Sequence, residues 1–330
     1  VDENIFRRRT VIYGCGASAD RLSELRRRAD RRGFKIVGCV PAPGDTRLAD
    51  TGWNIITDSS LKKIAEELRA DEIVIAMDDR RGNLPVRELL DCRFQGVGVI
   101  DLPDFFEREA GKIMVDLVNP GWLIFSAGFR VTRLRRSVKR TFDLLLGGLA
   151  LVLAIPMMLF VMAAIKLEDG MRAPVLYRQQ RVGYMGRKFM LMKFRSMRVD
   201  AEADGRAVWA DENDERISKV GKVLRKYRFD ELPQIVNVLK GEMSWVGPRP
   251  ERPEFVRELS ETIPYYSERH TVKPGITGWA QLRYPYGSSQ KDALEKLQYD
   301  LYYIKNQSLI LDLLVVLQTV EVIFWGKGSR

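Results

Sequence analysis

The chain has 330 residues, room for about two domains, and 45% of them are apolar, which is enough for real hydrophobic cores. Lys and Arg outnumber Asp and Glu by 54 to 44, and the net charge of +10 favours an anionic partner such as nucleic acid, a membrane surface or a phosphorylated substrate. The single histidine excludes a His-rich metal site, and three cysteines without metal-type spacing predict free buried thiols in a reducing cytosol.

The chain begins at Val1 without Met and soon reaches Arg7-Arg8-Arg9. We expect this start to be the trimmed edge of a longer protein, with a basic cytoplasmic flank after an upstream membrane segment.

Residues 1–120 are predicted to form a Rossmann-like domain, because strand patterns over 10–13, 34–40, 72–77 and 96–102 alternate with helical ones over 17–31 and 59–69. The first strand leads into Gly14-Cys-Gly16-Ala-Ser-Ala19, where the glycines permit a tight turn and a close phosphate approach. NAD binding is not expected, because the second strand ends at Val40 without a carboxylate. A regulatory nucleotide site at Gly14 and Gly16 and a purely structural turn both stay open.

A basic linker, residues 121–141, precedes an apolar run over residues 142–169. The linker's cations are Arg130, Arg133, Arg135, Arg136, Lys139 and Arg140. Residues 144–165 carry no charge and are long enough to span a bilayer, but Pro156 removes a backbone donor in the middle. Basic residues on both flanks predict that both ends stay on the cytoplasmic side, as in a re-entrant membrane helix broken at Pro156. A spanning helix with a proline kink is the alternative.

The most informative stretch of residues 170–330 is Arg225-Lys-Tyr-Arg-Phe-Asp-Glu-Leu-Pro-Gln234, with two adjacent carboxylates in a basic surround. A helix is predicted to begin there, since Pro233 is tolerated in a first turn and Gly241 ends the apolar pattern. Asp230, at the positive end of the helix dipole, is expected to stay ionised, which suits a nucleophile or a magnesium ligand. Taken alone, the pair is better explained as a helix cap beside a solvated Glu231.

Other motifs accompany this pair in a fixed order. They are Lys193-Phe-Arg195-Ser-Met197, Gly247-Pro-Arg249-Pro250, Pro274-Gly-Ile-Thr-Gly278 and Tyr299-Asp300. Together with the Pro156 run, they make residues 137–330 resemble the bacterial sugar transferase family of monotopic polyprenyl-phosphate phosphoglycosyltransferases, in the long, exopolysaccharide-associated form. The resemblance implies an α+β catalytic domain. The apolar segment 309–325 carries Asp312, Gln318, Thr319 and Glu321, which favours a C-terminal helix that either lies at the membrane interface or packs on this domain.

The resemblance also implies an activity. It is the transfer of a sugar-1-phosphate from a nucleoside diphosphate sugar, most simply a UDP-sugar, to polyprenyl (undecaprenyl) phosphate, through an aspartyl-phosphosugar intermediate and with Mg²⁺. This reaction would initiate exopolysaccharide or other glycoconjugate assembly at the cytoplasmic face of the bacterial inner membrane. The partners it implies are these substrates and membrane lipid, without nucleic acid, and a homodimer stays open.

The resemblance assigns roles to named residues. Asp230 is the expected nucleophile, Glu231 the expected Mg²⁺ ligand, and Asp300 a second metal ligand or a site-orienting carboxylate. Phosphate or nucleotide contacts are expected from Arg181, Lys193, Arg195, Arg225 and Arg249.

Two alternatives compete with this assignment. One is a non-catalytic regulatory or scaffold module, whose basic linker binds anionic lipid at a membrane surface. The other is a nucleotide-sugar oxidoreductase or epimerase on the first domain. It is disfavoured because that domain lacks both a ribose-binding acid after the second strand and a Tyr-x-x-x-Lys pair.

Overall fold

The computed structural model describes residues 7–25, 30, 32–45, 52–57, 60–80, 82–118, 121, 126, 128–129, 132–198, 216–284, 287 and 289–325. The chain divides into two compact units, Val1–Asn119 and Pro120–Arg330, and each unit has its own hydrophobic cores.

The first unit is built on a four-stranded parallel sheet in the order β2-β1-β3-β4. Ile12 packs with Phe105 on one face of the sheet, while Val11 packs with Ile64 on the other. Such burial on both faces is typical of parallel strands covered by helices. The strands are β1 (Arg8–Tyr13), β2 (Phe34–Val40), β3 (Glu72–Ile75) and β4 (Gly98–Asp101), and the helices are α1 (Ala17–Asp20), α2 (Leu61–Glu67), α3 (Val86–Phe94) and α4 (Leu102–Ala110).

Two predictions for this unit need correction. The helix predicted over residues 17–31 is shorter, because α1 ends at Asp20 and a 3₁₀ turn over Arg21–Glu24 follows; residues 26–29 and 31 lie outside the described residues. The prediction of three free thiols is also wrong, since Cys15 and Cys39 form a disulfide and Cys92 is the free, buried thiol. Parallel pairing of β1 with β2 brings the two cysteines together, across a separation of 24 residues that sequence spacing does not explain.

The second unit combines one long helix with two small sheets. Strands β5 (Leu176–Val182) and β6 (Lys188–Phe194) pair in antiparallel fashion, while β7 (Ser244–Val246) and β8 (Gly275–Thr277) pair in parallel. The predicted mixed α/β class is therefore confirmed for the chain. The helices are α5 (Arg133–Asp169), α6 (Lys219–Lys226), α7 (Gln234–Lys240), α8 (Pro253–Thr262), α9 (Trp279–Arg283), α10 (Gln290–Asn306) and α11 (Leu309–Trp325).

Helix α5 runs for 37 residues and passes through Pro156 as a single helix, so the predicted break of the helix at Pro156 is not confirmed. A proline removes one backbone hydrogen bond, and the flanking bonds keep the segment helical. The predicted linker is helical from Arg133 onward, and Thr132 caps this start by accepting from the Arg135 amide, while Arg130 lies outside the described residues. Within the described part of the chain, α5 is the one helix long and apolar enough to cross a membrane, by length and composition.

Both ends of α5 pack on the second unit. Near its start, Arg140 donates to the carbonyl oxygens of Val238 and Leu239, each at 2.7 Å, at the C-terminal end of α7. Near its end, Val161 and Ile165 join a core cluster that includes Phe194 and Leu224. Apolar side chains of α5 that are more than half exposed include Leu145, Leu149, Val152, Leu153, Leu159 and Phe160.

A buried polar network joins α5 to the last two helices. Asp312 of α11 is 1% exposed, and it accepts from Lys139 Nζ at 2.7 Å and from the Tyr303 hydroxyl at 2.6 Å. Tyr303 belongs to α10, and its hydroxyl oxygen also lies 3.0 Å from the Val246 carbonyl oxygen. Charged and polar groups buried in this way need partners, and here each finds one on a different helix or strand. The network fixes α11, whose exposed apolar side chains are led by Ile310 and Leu317.

Candidate active site

Asp230 and Glu231 lie in a 3₁₀ turn, Phe229–Glu231, between α6 and α7. Arg228 precedes the turn with a left-handed φ of 58°, so the chain changes direction sharply after α6. The α-helix predicted to begin at the carboxylates begins three residues later, with Pro233 as its N-cap, and it ends as predicted at Gly241, which has a φ of 85°. The two carboxylates therefore precede the helix and do not occupy its first turn.

Three cations converge on one oxygen of Glu231. Oε1 lies 2.8 Å from Arg249 Nη2, 3.5 Å from Lys193 Nζ and 3.9 Å from Arg228 Nη1. Burial acts to raise the pKa of Glu231, but the charges of these cations outweigh it and hold that pKa well below its ordinary value. Glu231 is therefore ionised at neutral pH, with its negative charge surrounded by three positive ones.

The pKa of Asp230 moves in the opposite direction. Its side chain belongs to a residue that is 8% exposed, and burial raises the pKa of Asp230 although the charge of Lys193 opposes the shift. The expected influence of a helix dipole is absent because no α-helix begins at this residue. Adjacent carboxyl groups whose pKa values are pushed apart are suited to different chemical roles.

Arg249 reaches Glu231 from the turn Gly247-Pro-Arg-Pro250, which is pressed against the second glycine-rich turn. The Gly247 amide donates to the Thr277 carbonyl oxygen at 3.0 Å, and the Gly275 amide donates to the Pro248 carbonyl oxygen at 2.9 Å. A Cβ on Gly275 would lie 2.2 Å from the Gly247 nitrogen, so the two turns approach too closely for any side chain. The glycines of both motifs thus serve to bring the Arg249 guanidinium onto the carboxylates.

The other predicted phosphate-binding cations lie at different distances from the pair. Lys193 of β6 contacts Glu231 directly, and burial lowers the pKa of its ammonium. Arg225, at the end of α6, donates to Ser196 Oγ at 3.0 Å. Its positive charge opposes the rise in the pKa of Asp230. Arg195 donates through Nη2 to Asp169 at 2.8 Å, and its Nε and Nη1 atoms are buried without a hydrogen-bond partner.

Arg181 has a different place. Its Nη1 atom donates to the Pro250 carbonyl oxygen at 3.2 Å and lies 3.4 Å from Glu251 Oε2, while Nη2 donates to Gln179 at 2.6 Å. The guanidinium therefore supports the turn that carries Arg249, and it is not paired with Asp230 or Glu231.

Asp300 is separated from the pair by an arginine. Its Oδ2 atom accepts from Arg269 Nη2 at 2.8 Å, and the same nitrogen donates to the Arg249 carbonyl oxygen at 3.0 Å. Burial raises the pKa of Asp300 to about 6, while the charge of Arg269 opposes this shift. Of its two predicted roles, this geometry favours the orienting one.

No group of three or more His, Cys, Asp or Glu side chains is arranged to hold a metal ion within the described residues. Mg²⁺ requires less from a protein, since it commonly binds through one or two carboxylates together with substrate phosphates and water. The adjacent carboxyl groups of Asp230 and Glu231 meet this smaller requirement. Asp300, the other predicted metal ligand, is paired with Arg269 in this structure.

In the first unit, the donors of the Gly14–Gly16 turn are taken by protein carboxylates. Asp78 accepts from the amides of Ala17 and Ser18, at 3.0 and 2.7 Å. Gly14 has a left-handed φ of 101°, and a Cβ on Gly16 would lie 2.1 Å from Asp78 Oδ2. Because Asp78 holds the amides on which a phosphate would sit, the geometry favours the structural turn over the nucleotide site.

Sequence reasoning missed Arg269, which is 6% exposed, and gave no role to Arg228. The sequence alone does not distinguish a buried arginine from a solvated one. Arg269 lies in the polar segment Ser267-Glu-Arg-His270, which is typical of an exposed loop. One signal was available, since this segment directly precedes the glycine-rich turn that begins at Pro274.

The fold and the site together define a class: a mixed α/β chain in which adjacent carboxylates are surrounded by arginine and lysine, the groups that bind phosphates. The family model for bacterial sugar transferases matches residues 134–326, more than half of the chain. The chain therefore belongs to the bacterial sugar transferase family.

Curated relatives cover much of the chain. It is 34% identical over 335 residues to a UDP-glucose:undecaprenyl-phosphate glucose-1-phosphate transferase of Escherichia coli K12, a match covering 98% of the chain and 69% of the relative. It is 38% identical over 280 residues to a UDP-N-acetylgalactosamine-undecaprenyl-phosphate N-acetylgalactosaminephosphotransferase of Aeromonas hydrophila, which covers 84% of the chain and 64% of the relative. It is also 35% identical over 205 residues to the exopolysaccharide production protein ExoY of Rhizobium meliloti, covering 58% of the chain and 87% of the relative. The chain thus spans about two thirds of the first two relatives.

Proposed function

We propose that the chain transfers a sugar-1-phosphate from a UDP-sugar to undecaprenyl phosphate and so begins exopolysaccharide or other glycoconjugate assembly. The names of the Escherichia coli and Aeromonas relatives support this donor and acceptor, and the name of the Rhizobium relative supports the exopolysaccharide role. One observation carries the proposal. Two adjacent carboxyl groups, that of Asp230 buried and that of Glu231 largely so, lie among Arg and Lys side chains inside the segment that matches the family.

The reaction proceeds in two displacements at the same phosphorus. An oxygen of Asp230 attacks the phosphorus next to the sugar, a P–O bond forms, and the bond to the nucleoside monophosphate breaks, so UMP leaves with that electron pair. An oxygen of undecaprenyl phosphate then attacks the aspartyl-linked phosphorus. This step releases the Asp230 carboxylate and gives undecaprenyl diphosphate sugar, and no oxidant or reductant is required.

The cations of the site offset the charge that both displacements concentrate. Arg249 and Lys193 already adjoin the carboxylates, and the charge of Arg225 also acts on Asp230. Burial of Asp230 removes water from the attacking carboxylate, which favours its attack on phosphorus. Mg²⁺, when bound through Asp230 or Glu231, would supply further neutralisation of the diphosphate.

The proposed place of the enzyme is the cytoplasmic face of the inner membrane, with α5 as a re-entrant helix. Both ends of α5 pack on one unit, through Arg140 at the start and Ile165 near the end. A bilayer core is about 30 Å thick, so a helix that crossed it would carry one end away from that unit. Leu134 and Leu167, exposed near the two ends, offer a test. Cysteines at both positions should react with an impermeant maleimide from the same side of a proteoliposome, and labelling from opposite sides would contradict the topology.

The first unit is proposed to be a Rossmann-like domain that no longer binds a dinucleotide. Its parallel sheet and its Gly14 turn support the fold, and the Asp78 carboxylate on the turn amides supports the loss of the phosphate site. Calorimetry with NAD, UDP and UMP on the full chain should give no saturable heat from this unit, and the variant Asp78→Ala identifies any signal that does arise there.

The activity is tested on the full chain in nanodiscs, with Mg²⁺, undecaprenyl phosphate and a panel of UDP-sugars, by measuring release of UMP. Without acceptor, we expect one equivalent of UMP and a sugar-phosphate adduct on the peptide that contains Asp230. The variant Asp230→Asn should give neither product, while the exposed control Asp91→Asn should give both.

Two results would overturn the proposal. One is the absence of UMP release with every donor, which would favour a regulatory or scaffold module. The other is near-normal turnover by Asp230→Asn, which would leave the family activity in place but remove Asp230 as the nucleophile.

A further inference from the structure

Three consecutive carbonyl oxygens of the turn that carries Arg249 each accept a hydrogen bond from a different part of the second unit. The Pro248 oxygen accepts from the Gly275 amide at 2.9 Å, and the Pro250 oxygen accepts from Arg181 Nη1 at 3.2 Å. The oxygen between them, on Arg249 itself, accepts from Arg269 Nη2 at 3.0 Å. The main chain of the arginine that binds Glu231 is therefore fixed at the residue itself and on both sides.

Arg269 is itself held in place at both terminal nitrogens. Nη1 donates to the Tyr266 hydroxyl at 2.6 Å, and the guanidinium lies 5.1 Å from the centre of the Tyr266 ring. Nη2 donates to Asp300 at 2.8 Å, with the side chains of Arg269 and Asp300 only 6% and 2% exposed. A charged pair buried this deeply costs desolvation energy, which the bonds of the two terminal nitrogens offset in part, while Nε of Arg269 is buried without a hydrogen-bond partner.

We propose that Arg269 is a positioning residue for the transfer reaction, which acts on Glu231 through the main chain of Arg249, and that Asp300 serves to orient Arg269. This inference rests on the proposed function. It extends it, because it places a second layer of residues, Tyr266, Arg269 and Asp300, behind the groups that meet the substrate. It also assigns Asp300 a role that requires no metal.

The chemistry of the guanidinium explains why arginine is used here. Arg269 reaches a hydroxyl, a carboxylate and a carbonyl oxygen from two nitrogens of one rigid plane. Lysine would keep the positive charge beside Asp300 but would lose this fixed fork. A displacement of about 1 Å in a group that stabilises a transition state is enough to cost about 100-fold in rate.

The first experiment measures steady-state kinetics of Arg269→Lys in nanodiscs with the donor that the wild type uses. We expect kcat to fall by about 10- to 100-fold, with the KM for undecaprenyl phosphate changed by less than about threefold, because Arg249 is misplaced and the acceptor site is intact. The exposed Arg257→Lys is the matched control and should leave both parameters unchanged.

A double-mutant cycle combines Arg269→Lys with Arg249→Lys. The double variant should be no slower than Arg249→Lys alone, since both changes act through one group. Losses that simply multiply would overturn the proposal.

The second experiment separates orientation from metal binding. If Asp300 orients Arg269, Asp300→Asn should lower kcat in the same way as Arg269→Lys, and the Mg²⁺ concentration for half-maximal rate should stay within about threefold of the wild type. A rise of about tenfold or more in that concentration, a size common when metal-site residues are changed, would instead make Asp300 a metal ligand and overturn its assigned role.

The third experiment does not depend on turnover. Hydrogen exchange of the amides of Gly247, Arg249 and Glu251 is measured in the full chain, and exchange should be at least about tenfold faster in Arg269→Lys than in Arg257→Lys. If Arg269→Lys fails to fold, Tyr266→Phe is the milder variant, because it removes one hydroxyl and no charge. It should also speed the exchange of these amides, but by a smaller factor. Unchanged exchange in both variants overturns the inference, and an inactive wild type with faster exchange in the variants would contradict the proposed function alone.

Discussion

The two neighbouring carboxylates should have opposite effects on stability when each is neutralised. Glu231→Gln removes the charge that Arg249, Lys193 and Arg228 share, and leaves these cations close together without a counter-charge. Asp230→Asn removes a carboxyl group whose pKa is raised by burial, so its ionised form costs stability at neutral pH. Both variants are expected to lose activity, but only Glu231→Gln should lose stability.

The stability that Glu231→Gln should lose can be estimated from the burial of the cations that pair with Glu231. Removing one member of a buried ion pair costs about 3–5 kcal/mol. The Arg249 side chain is 34% exposed and that of Lys193 is 21% exposed, so solvent screens part of the effect. We therefore expect about 2–3 kcal/mol for Glu231→Gln, which corresponds to a Tm lower by about 4–12 °C for a unit of this size. For Asp230→Asn we expect a Tm equal to or above that of the wild type.

The assay is thermal unfolding of the full chain in one detergent at pH 7.5, followed by tryptophan fluorescence, with the exposed Glu254→Gln as the control for Glu231→Gln. Adding Lys193→Met to Glu231→Gln removes one of the unmatched cations and should recover part of the lost Tm. A Tm of Glu231→Gln within 2 °C of the wild type, or a larger loss for Asp230→Asn, would refute the reasoning from charge.

Three further predictions concern packing and titration. Gly275→Ala should abolish turnover, because its Cβ would lie 2.2 Å from the Gly247 nitrogen, whereas Gly148→Ala, with open space around it, should retain turnover in the UMP assay. Asp143→Ala should lower the Tm by about 2–12 °C, since it removes the buried acceptor of the Ser244 hydroxyl at 2.8 Å and leaves that hydroxyl without it; a loss below 2 °C would contradict this. Burial, aided by the charge of Arg269, lowers the pKa of His270 to about 4. Its imidazole NMR signals should titrate near pH 4, and because the unfolded form binds its proton nearer pH 6.5, stability should fall as the pH drops through this window; a midpoint near 6.5 would contradict this.

Local patterns predicted much of the fold. The strand Phe34–Val40 was predicted with its correct bounds, and Gly241 ends α7 as its position indicated. Both rest on signals contained in a few neighbouring residues, namely an apolar run and a glycine after a helical pattern. Helix lengths were less certain in long charged segments, as after Asp20, where a 3₁₀ turn over Arg21–Glu24 replaces the predicted α-helix.

The parts that sequence did not reveal depend on contacts between distant segments. The Cys15–Cys39 disulfide follows from the pairing of β1 with β2, and the raised pKa of Asp230 follows from burial by elements far along the chain. The motifs identified the right residues near the site, but they could not separate those that reach the carboxylates from those that fix the main chain. Arg181 and Arg249 look alike in sequence, and only the fold gives them different partners.

The parallel pairing of β7 with β8 has a consequence for the order in which the site is built during synthesis. Strand β8 joins β7 only after α8 and the following 3₁₀ turn have been made, and Asp300 comes later still, in α10. Until α10 leaves the ribosome, Arg269 has no carboxylate from Asp300, and the turn that carries Arg249 lacks its full support. A nascent chain would therefore expose the apolar surface of α5 to the membrane well before it could perform chemistry, so that attachment precedes activity.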